Sequence, residues 1–309
     1  MLVNRARAEE KMDKYDLEAL VATSPANVFY FSDCYPYGKC YALLPRDKNI
    51  KPVLIAPISG STPIVLMSPP WFDDARYYGE FYIYTQFIDH PVDASEERLV
   101  KAVENGEYTK QLAPEKILSD LIREKGFEGK IGIDESGLKY EDPLIRDLTT
   151  SNSNVEAVPA NQVIREIRMV KTGEEIKRIE KAIKITQNAW EKSLNNIEEG
   201  ITETEFAEIF QQTILKKGGH NFTYLGRYWP PIAFGRRTAF SDIAQPTNYQ
   251  LKKGDMIRFD GGCTYQGYPC DMARVASYGK PSEKLQSYWK AIYAGEQAAI
   301  ELVKPGVKA

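Results

Sequence analysis

The stretch from Met256 to Val275 constrains this chain more than any other, because two extended runs meet there at Gln266-Gly267. That dipeptide suits a two-residue hairpin loop. With such a loop, pairing follows by symmetry: Tyr265 faces Tyr268, Cys263 faces Cys270, Gly262 faces Asp271, and Asp260 faces Ala273. Asp260 and Gly262 are two apart and share a face. Asp271 falls on the same face, diagonal to Asp260 at about 7–8 Å between backbones. Gly262, opposite Asp271, is expected to leave open space between the two carboxylates. Aspartate is a poor strand former, and two like charges this close need a cation or a raised pKa. A divalent metal is the simpler answer. The other readings are a solvated strand edge and a longer loop with a different register. Cys263 opposite Cys270 would permit a cross-strand disulfide, and in a reducing compartment two packed thiols are expected instead.

Bulk properties exclude several classes. The 309 residues are long enough for two domains with sizeable cores. Forty basic residues stand against 43 acidic ones, a net charge of -3 that argues for no nucleic acid and no anionic membrane as partner. The amino terminus, MLVNRARAEEKMDKYDLEAL, lacks the apolar core of a secretory signal. No apolar stretch approaches the ~20 residues of a membrane span, and a cytoplasmic protein is expected. Four cysteines are too few for a disulfide scaffold. With no CxxC pair, and with His90 and His220 far from any cysteine in sequence, a structural zinc site is not expected.

The first half alternates helical and strand-like segments. Residues 3 to 17 read as an opening helix, LEALVATS as a buried strand, NVFYFSD as a second short element, and CYALLPRD and KPVLIAPI as strands. APEKILSDLIREKGFEGK reads as a helix with Pro114 in its first turn, an apolar face of Ile117, Leu118, Leu121 and Ile122, and Gly126 as its stop. KIGIDES follows as a strand, and the alternation implies an α/β layer arrangement. A break is expected near 159 to 173, dividing the chain into 1–160 and 161–309. Thr172 with Glu175 and Thr202 with Glu205 are capping boxes that open two helices. Ile176, Ile179, Ile183, Thr186 and Trp190 recur at helical spacing in the first, and Phe206, Ile209 and Phe210 in the second. Their apolar faces need covering, and the following strands are positioned to supply it.

RFDGGCTYQGYPCDMAR resembles the signature of the creatinase/prolidase family of pita-bread metallopeptidases, aminopeptidase P and the methionine aminopeptidases among them. The spacing of Asp260 and Asp271 matches that family. VIREIRMVKTGEEIKRIEKA resembles its interdomain helix, LKKGD its approach to the first metal strand, and VKPGVKA the segment closing the next helix. The resemblance runs from about residue 160 to the end and implies an α/β creatinase-like amino-terminal domain followed by an incomplete α+β pita-bread domain. It implies that Asp260 chelates one metal and that Asp271 bridges two, drawn from manganese, cobalt, iron or zinc. It implies a metal-bound water attacking the amide of a small peptide, and a homodimer.

The chain departs from the pattern twice. The family's remaining ligands, one His and two Glu, would fall after Ala309, so a shortened chain with poor metal affinity is expected, with none bound as one outcome. Where the peptidases place a substrate-contacting histidine, alignment puts Asp242, which cannot donate a hydrogen bond while ionised. Tyr224, Tyr228 and Trp229 lie upstream, where the family lines its substrate pocket. With Asp242 they would suit a quaternary or sulfonium cation, which keeps open a lyase or hydrolase acting on a small cationic molecule. Ring packing in the core is the other reading for these aromatics, and a non-catalytic binding module is the third function in view. WFDDARYYGEFYIYTQF reads as packing or dimer surface.

Overall fold

The computed structural model describes residues 2–60, 74–80, 90–135, 137–221, 230–240 and 245–308. They form two compact units, Met1–Ile176 and Lys177–Ala309.

The first unit runs α1 (Arg5–Lys14), β1 (Leu17–Ala22), α2 (Pro25–Ser32), β2 (Tyr41–Pro45), β3 (Val53–Pro57), β4 (Asp74–Tyr78), α3 (Ala94–Glu107), α4 (Pro114–Glu124), β5 (Gly129–Ile133), α5 (Pro143–Ser151), β6 (Val155–Pro159) and α6 (Asn161–Arg168). The apolar runs expected as strands are strands, in one six-stranded sheet of order β4-β3-β2-β1-β5-β6. β2 lies antiparallel to both β1 and β3, and the other pairings are parallel. Ile117, Leu118, Leu121 and Ile122 bury the predicted face of α4 against Ile131, Ile133, Leu144 and Leu148. Gly126 ends that segment at φ +69, a conformation that favours glycine.

Three details depart from the sequence pattern. The opening helix stops at Lys14, because Asp16 turns at φ 54 before β1. NVFYFSD belongs to α2, which begins with Pro25 in its first turn, where a missing N–H costs nothing. The contact-based division falls in the first turn of the helix opening at Gly173, and α6 groups with the first unit. There Arg7 of α1 donates to the Glu166 carbonyl of α6 at 2.8 Å.

Asp134, just past β5, ties the start of α2 to the sheet. Its carboxylate accepts from Thr23 N at 2.8 Å, Thr23 Oγ1 at 2.5 Å, Ser24 N at 3.0 Å, Ser24 Oγ at 2.7 Å and Asn27 Nδ2 at 2.9 Å. Burial works against the ionised form, but the bonds from Thr23, Ser24 and Asn27 outweigh it and hold the carboxyl below its usual range. The stability this lends is fully present above the unfolded carboxyl's pKa of about 3.9 and is lost as pH falls through the lower folded value. Asp134→Ala is therefore expected to cost about 2–3 kcal/mol at neutral pH by stranding buried donors. The gap to wild type should narrow below about pH 4, which urea unfolding across pH would show.

The second unit begins within α7 (Gly173–Leu194) and continues through α8 (Glu203–Lys216), β7 (His220–Asn221), β8 (Ile232–Phe234), β9 (Met256–Gly261), β10 (Cys263–Tyr265), β11 (Tyr268–Pro269), β12 (Met272–Ser277) and α9 (Glu283–Leu302). Both capping boxes form. Thr172 N donates to Glu175 at 2.7 Å and Glu175 N to Thr172 Oγ1 at 3.3 Å. Thr202 and Glu205 make the same exchange at 2.8 and 3.1 Å. Phe206 and Phe210 are buried as expected, but the buried stripe of α7 is rotated. Ala182, Ile185, Thr186, Ala189, Trp190 and Ser193 face inward, whereas Ile176 is exposed and Ile179 and Ile183 half-buried. Small residues let the helix approach the strands closely, and they carry little weight in an apolar pattern.

Two three-stranded sheets, β11-β10-β7 and β12-β9-β8, cover these helices. Between the layers, Trp190 stacks on Phe259 with centroids 5.4 Å apart and meets Phe206 edge-on at 5.7 Å, and Phe210 lies 4.8 Å from Phe259. Among the described residues, no helix is long and apolar enough to cross a membrane.

Candidate metal centre

The expected hairpin forms in the expected register. Tyr265 pairs with Tyr268, Thr264 with Pro269, Gly261 with Met272 and Asp260 with Ala273. Cys270 N donates to the Cys263 carbonyl at 3.0 Å on the rung between them. The loop is Gln266-Gly267, at φ 44 and 82. Two successive positive values are the mark of a type I′ turn, whose twist matches that of the strands. Arg178 of α7 donates to the Gln266 carbonyl at 3.0 Å and steadies the tip.

Alternation sends the two faces to different environments. Ile257, Phe259, Cys263 and Cys270 are buried on the inner face, among the side chains of α7 and α8. Asp260 is half-buried on the outer face, its own N–H donating to the Pro231 carbonyl at 3.1 Å. Asp271 is exposed, on the adjoining rung of that face. The register puts the two aspartates near each other along the hairpin, with the ladder interrupted at Gly262 between them.

One expectation is corrected. Gly262 does not open space between the carboxylates. A Cβ there would fall well inside contact of the Cys270 carbonyl oxygen, and within 2.8 Å of its carbon and 2.9 Å of Cys270 Sγ. Glycine is required by the close approach of the partner backbone where the ladder passes from β9 to β10.

Sequence reading missed two anchors of this region. Glu203, in the first turn of α8, is wholly buried. Its carboxylate accepts from Phe234 N at 2.8 Å, from Arg237 Nε at 3.0 Å to both oxygens, from Thr247 N at 2.9 Å and from Thr247 Oγ1 at 2.7 Å. One carboxylate thus fixes the end of β8, the turn at 235–239 and the segment approaching β9. Arg258 shares the outer face with Asp260 and reaches the Phe240 carbonyl at 2.8 Å and that of Thr238 at 3.3 Å. It brings a positive charge to the carboxylate face. The local signals were an acid in a helix's first turn and an arginine in a strand, both of which normally read as solvated groups.

Asp242, Tyr224, Tyr228 and Trp229 lie outside the described residues. Exposed His220 pairs with Thr264, and His90, in the first unit, lies 3.3 Å from Glu96. Among the described residues, no group of three or more His, Cys, Asp and Glu is placed to hold a metal. Asp260 and Asp271 fit a divalent cation as two carboxylate donors of a larger set. Cys263 and Cys270 are free thiols, as expected for packed cysteines. The interaction between the two thiols raises Cys263, with burial adding to it, and lowers Cys270 against the opposing effect of burial.

Residues 177–309 match the model of metallopeptidase family M24. An uncharacterized peptidase of Staphylococcus aureus strain USA300 is 30% identical over 144 residues, 47% of this chain and 40% of the relative. The chain thus spans about two-fifths of the length of the curated relatives it matches. The prolidase from Pyrococcus horikoshii OT3 superposes with a TM-score of 0.64 at 23% identity, over 98% of this chain and 73% of that one. The X-Pro aminopeptidase from Thermotoga maritima MSB8 gives 0.63 at 19%, over 95% and 70%. The fold is that of these proteins, the pita-bread architecture that the sequence motifs imply.

Proposed function

We propose that the protein, whose residues 177–309 match the model of metallopeptidase family M24, is a two-metal hydrolase of the Xaa-Pro dipeptidase or aminopeptidase P kind. Its substrate would be a small peptide or a related amide. What supports this reading is the hairpin register, in which Asp260 stands opposite Ala273 and Asp271 follows on from the Gly261–Met272 rung. Asp260 would hold one divalent ion and Asp271 would bridge two, of manganese, cobalt, iron or zinc. When bound, the metal pair supplies a water of lowered pKa as nucleophile for the scissile carbonyl.

The chain's own residues supply the frame. Arg258 orders the carbonyls of Thr238 and Phe240, just before the stretch holding Asp242, which we assign a place beside the substrate. Tyr224, Tyr228 and Trp229 are assigned to the substrate pocket by sequence position. A cytoplasmic homodimer is the expected setting.

Titration calorimetry with Mn2+ tests the ligand assignment. Asp260→Asn and Asp271→Asn keep the shape of the hairpin and are each expected to lower affinity about tenfold or more. Unchanged affinity in either variant would overturn the assignment. The protein loaded with manganese or cobalt is expected to cleave Xaa-Pro dipeptides, and its failure to do so would sink the peptidase reading.

A further inference from the structure

The inner face of the hairpin carries a chemical feature that metal-dependent hydrolysis does not use. We propose that Cys263 and Cys270 are a dithiol modification site, oxidised by hydrogen peroxide to a disulfide that locks the hairpin bearing Asp260 and Asp271.

The geometry is already that of a disulfide precursor. The two cysteines occupy one rung, between the Thr264–Pro269 and Gly261–Met272 pairs, and Cys270 N donates to Cys263 O at 3.0 Å. A hydrogen-bonded rung sets its Cα atoms about 5.5 Å apart, inside the span of roughly 4.4–6.8 Å that disulfides occupy. Residues directly opposed on antiparallel strands project to one side, and both sulfurs are buried in the same cluster. Opposed Cβ atoms stand about 4.5–5.5 Å apart, so the strands must draw together slightly to reach the roughly 3.5–4.5 Å of a disulfide.

The surroundings favour the same product. Glycines flank the pair: a Cβ on Gly219 would lie 3.3 Å from Cys263 Sγ, and one on Gly262 would lie 2.9 Å from Cys270 Sγ. No side chain from either position separates the sulfurs. Cys263 Sγ donates to the Ala182 carbonyl at 3.3 Å, and Thr186 Oγ1 lies 3.1 Å from Cys270 Sγ. Cys263 is fully buried while Cys270 is 5% exposed and precedes exposed Asp271. The route for a small oxidant therefore ends at Cys270. Cys34 and Cys40 of the first unit are also buried, but they flank a loop, and Cys40 donates to the Tyr37 carbonyl at 3.4 Å.

The chemistry balances in two steps. The Cys270 sulfur attacks one peroxide oxygen; an S–O bond forms, the O–O bond breaks, and the departing hydroxide leaves as water with the thiol proton. The Cys263 sulfur then attacks the Cys270 sulfur; the S–S bond forms, the S–O bond breaks, and a second water leaves with the Cys263 proton. Two electrons pass from the dithiol to the peroxide. Because Asp271 directly follows Cys270 and Asp260 lies on the same arm of the hairpin as Cys263, three residues before it, a covalent inner rung stiffens the backbone that carries both.

The test uses the full 309-residue chain and hydrogen peroxide. Trypsin releases residues 259–274 as one peptide holding both cysteines, whereas cleavage after Lys39 separates Cys34 from Cys40. Peroxide is expected to remove two hydrogens from peptide 259–274 and to block its alkylation, and dithiothreitol to reverse both. Backbone amide exchange across 256–277 is expected to slow about tenfold on oxidation. Cys263→Ser is expected instead to leave a Cys270 sulfenic acid that dimedone traps. Two alkylatable thiols surviving in the wild-type peptide, or oxygen addition without the crosslink, would overturn the modification site. A crosslink that leaves amide exchange unchanged would overturn the lock.

Discussion

Glu203→Ala is expected to cost about 3–5 kcal/mol, the largest single loss in the second unit, because it leaves a partly buried cation without its buried partner. Glu203 is fully buried, and Arg237, its ion-pair partner at 3.0 Å, keeps 26% of its side chain exposed. The substitution also strands the N–H groups of Phe234 and Thr247, which point at the lost carboxylate. Glu203→Gln keeps the shape but places a donor where several donors already converge, so it should recover only a minor part of the loss. Urea unfolding of both variants would show this. Alanine and glutamine variants within 1 kcal/mol of wild type would mean that the buried network contributes little net stability. The effect should also reach the carboxylate hairpin. The segments that Glu203 holds, at Phe234 and Thr247, flank the entry to β9, so Mn2+ affinity should fall in the same variants although Glu203 touches no proposed ligand.

Gly262→Ala is expected to be nearly as damaging, about 3 kcal/mol, at the upper end of what overpacking costs. The added methyl would meet backbone, the Cys270 carbonyl, which cannot swing away as a flexible side-chain end can. Relief requires the strands to part where Asp271 is held, so loss of metal affinity should accompany loss of stability. Gly267→Ala supplies the comparison. Gly267 sits at φ 82 in the turn, where an alanine pays only a local conformational cost of roughly 1 kcal/mol. Thermal unfolding of the two variants side by side would separate close approach from backbone strain. Equal effects would mean that the contact at Gly262 relaxes at little cost.

Gly262 shows how far reasoning along the chain carries. A glycine opposite an aspartate suggests open space between the carboxylates, but Gly262 is required by contact with the Cys270 carbonyl. Strand alternation says which residue stands opposite, and it does not say that the ladder bends there and brings a carbonyl into the position of a Cβ. α7 makes the same point. Its caps at Thr172 and Glu175 were legible because both partners lie within one turn. Its buried face was misplaced because Ala182, Ala189 and Ser193 face inward through what packs on them, and a small side chain announces no preference of its own.

By itself the sequence determined what depends on neighbours in the chain. The turn at Gln266-Gly267 set the register out to Ala273, so Tyr265 with Tyr268 and Asp260 with Ala273 followed from it. Capping boxes, the glycine stop at Gly126 and the strands of the first unit were equally local. Tertiary structure alone decided the meaning of Glu203. An acid in the first turn of a helix suits the helix dipole anywhere, and it becomes a buried keystone only when Phe234, Arg237 and Thr247 bring their donors to it. The reason is energetic: burying a charge is favourable only when partners from distant parts of the chain replace its water.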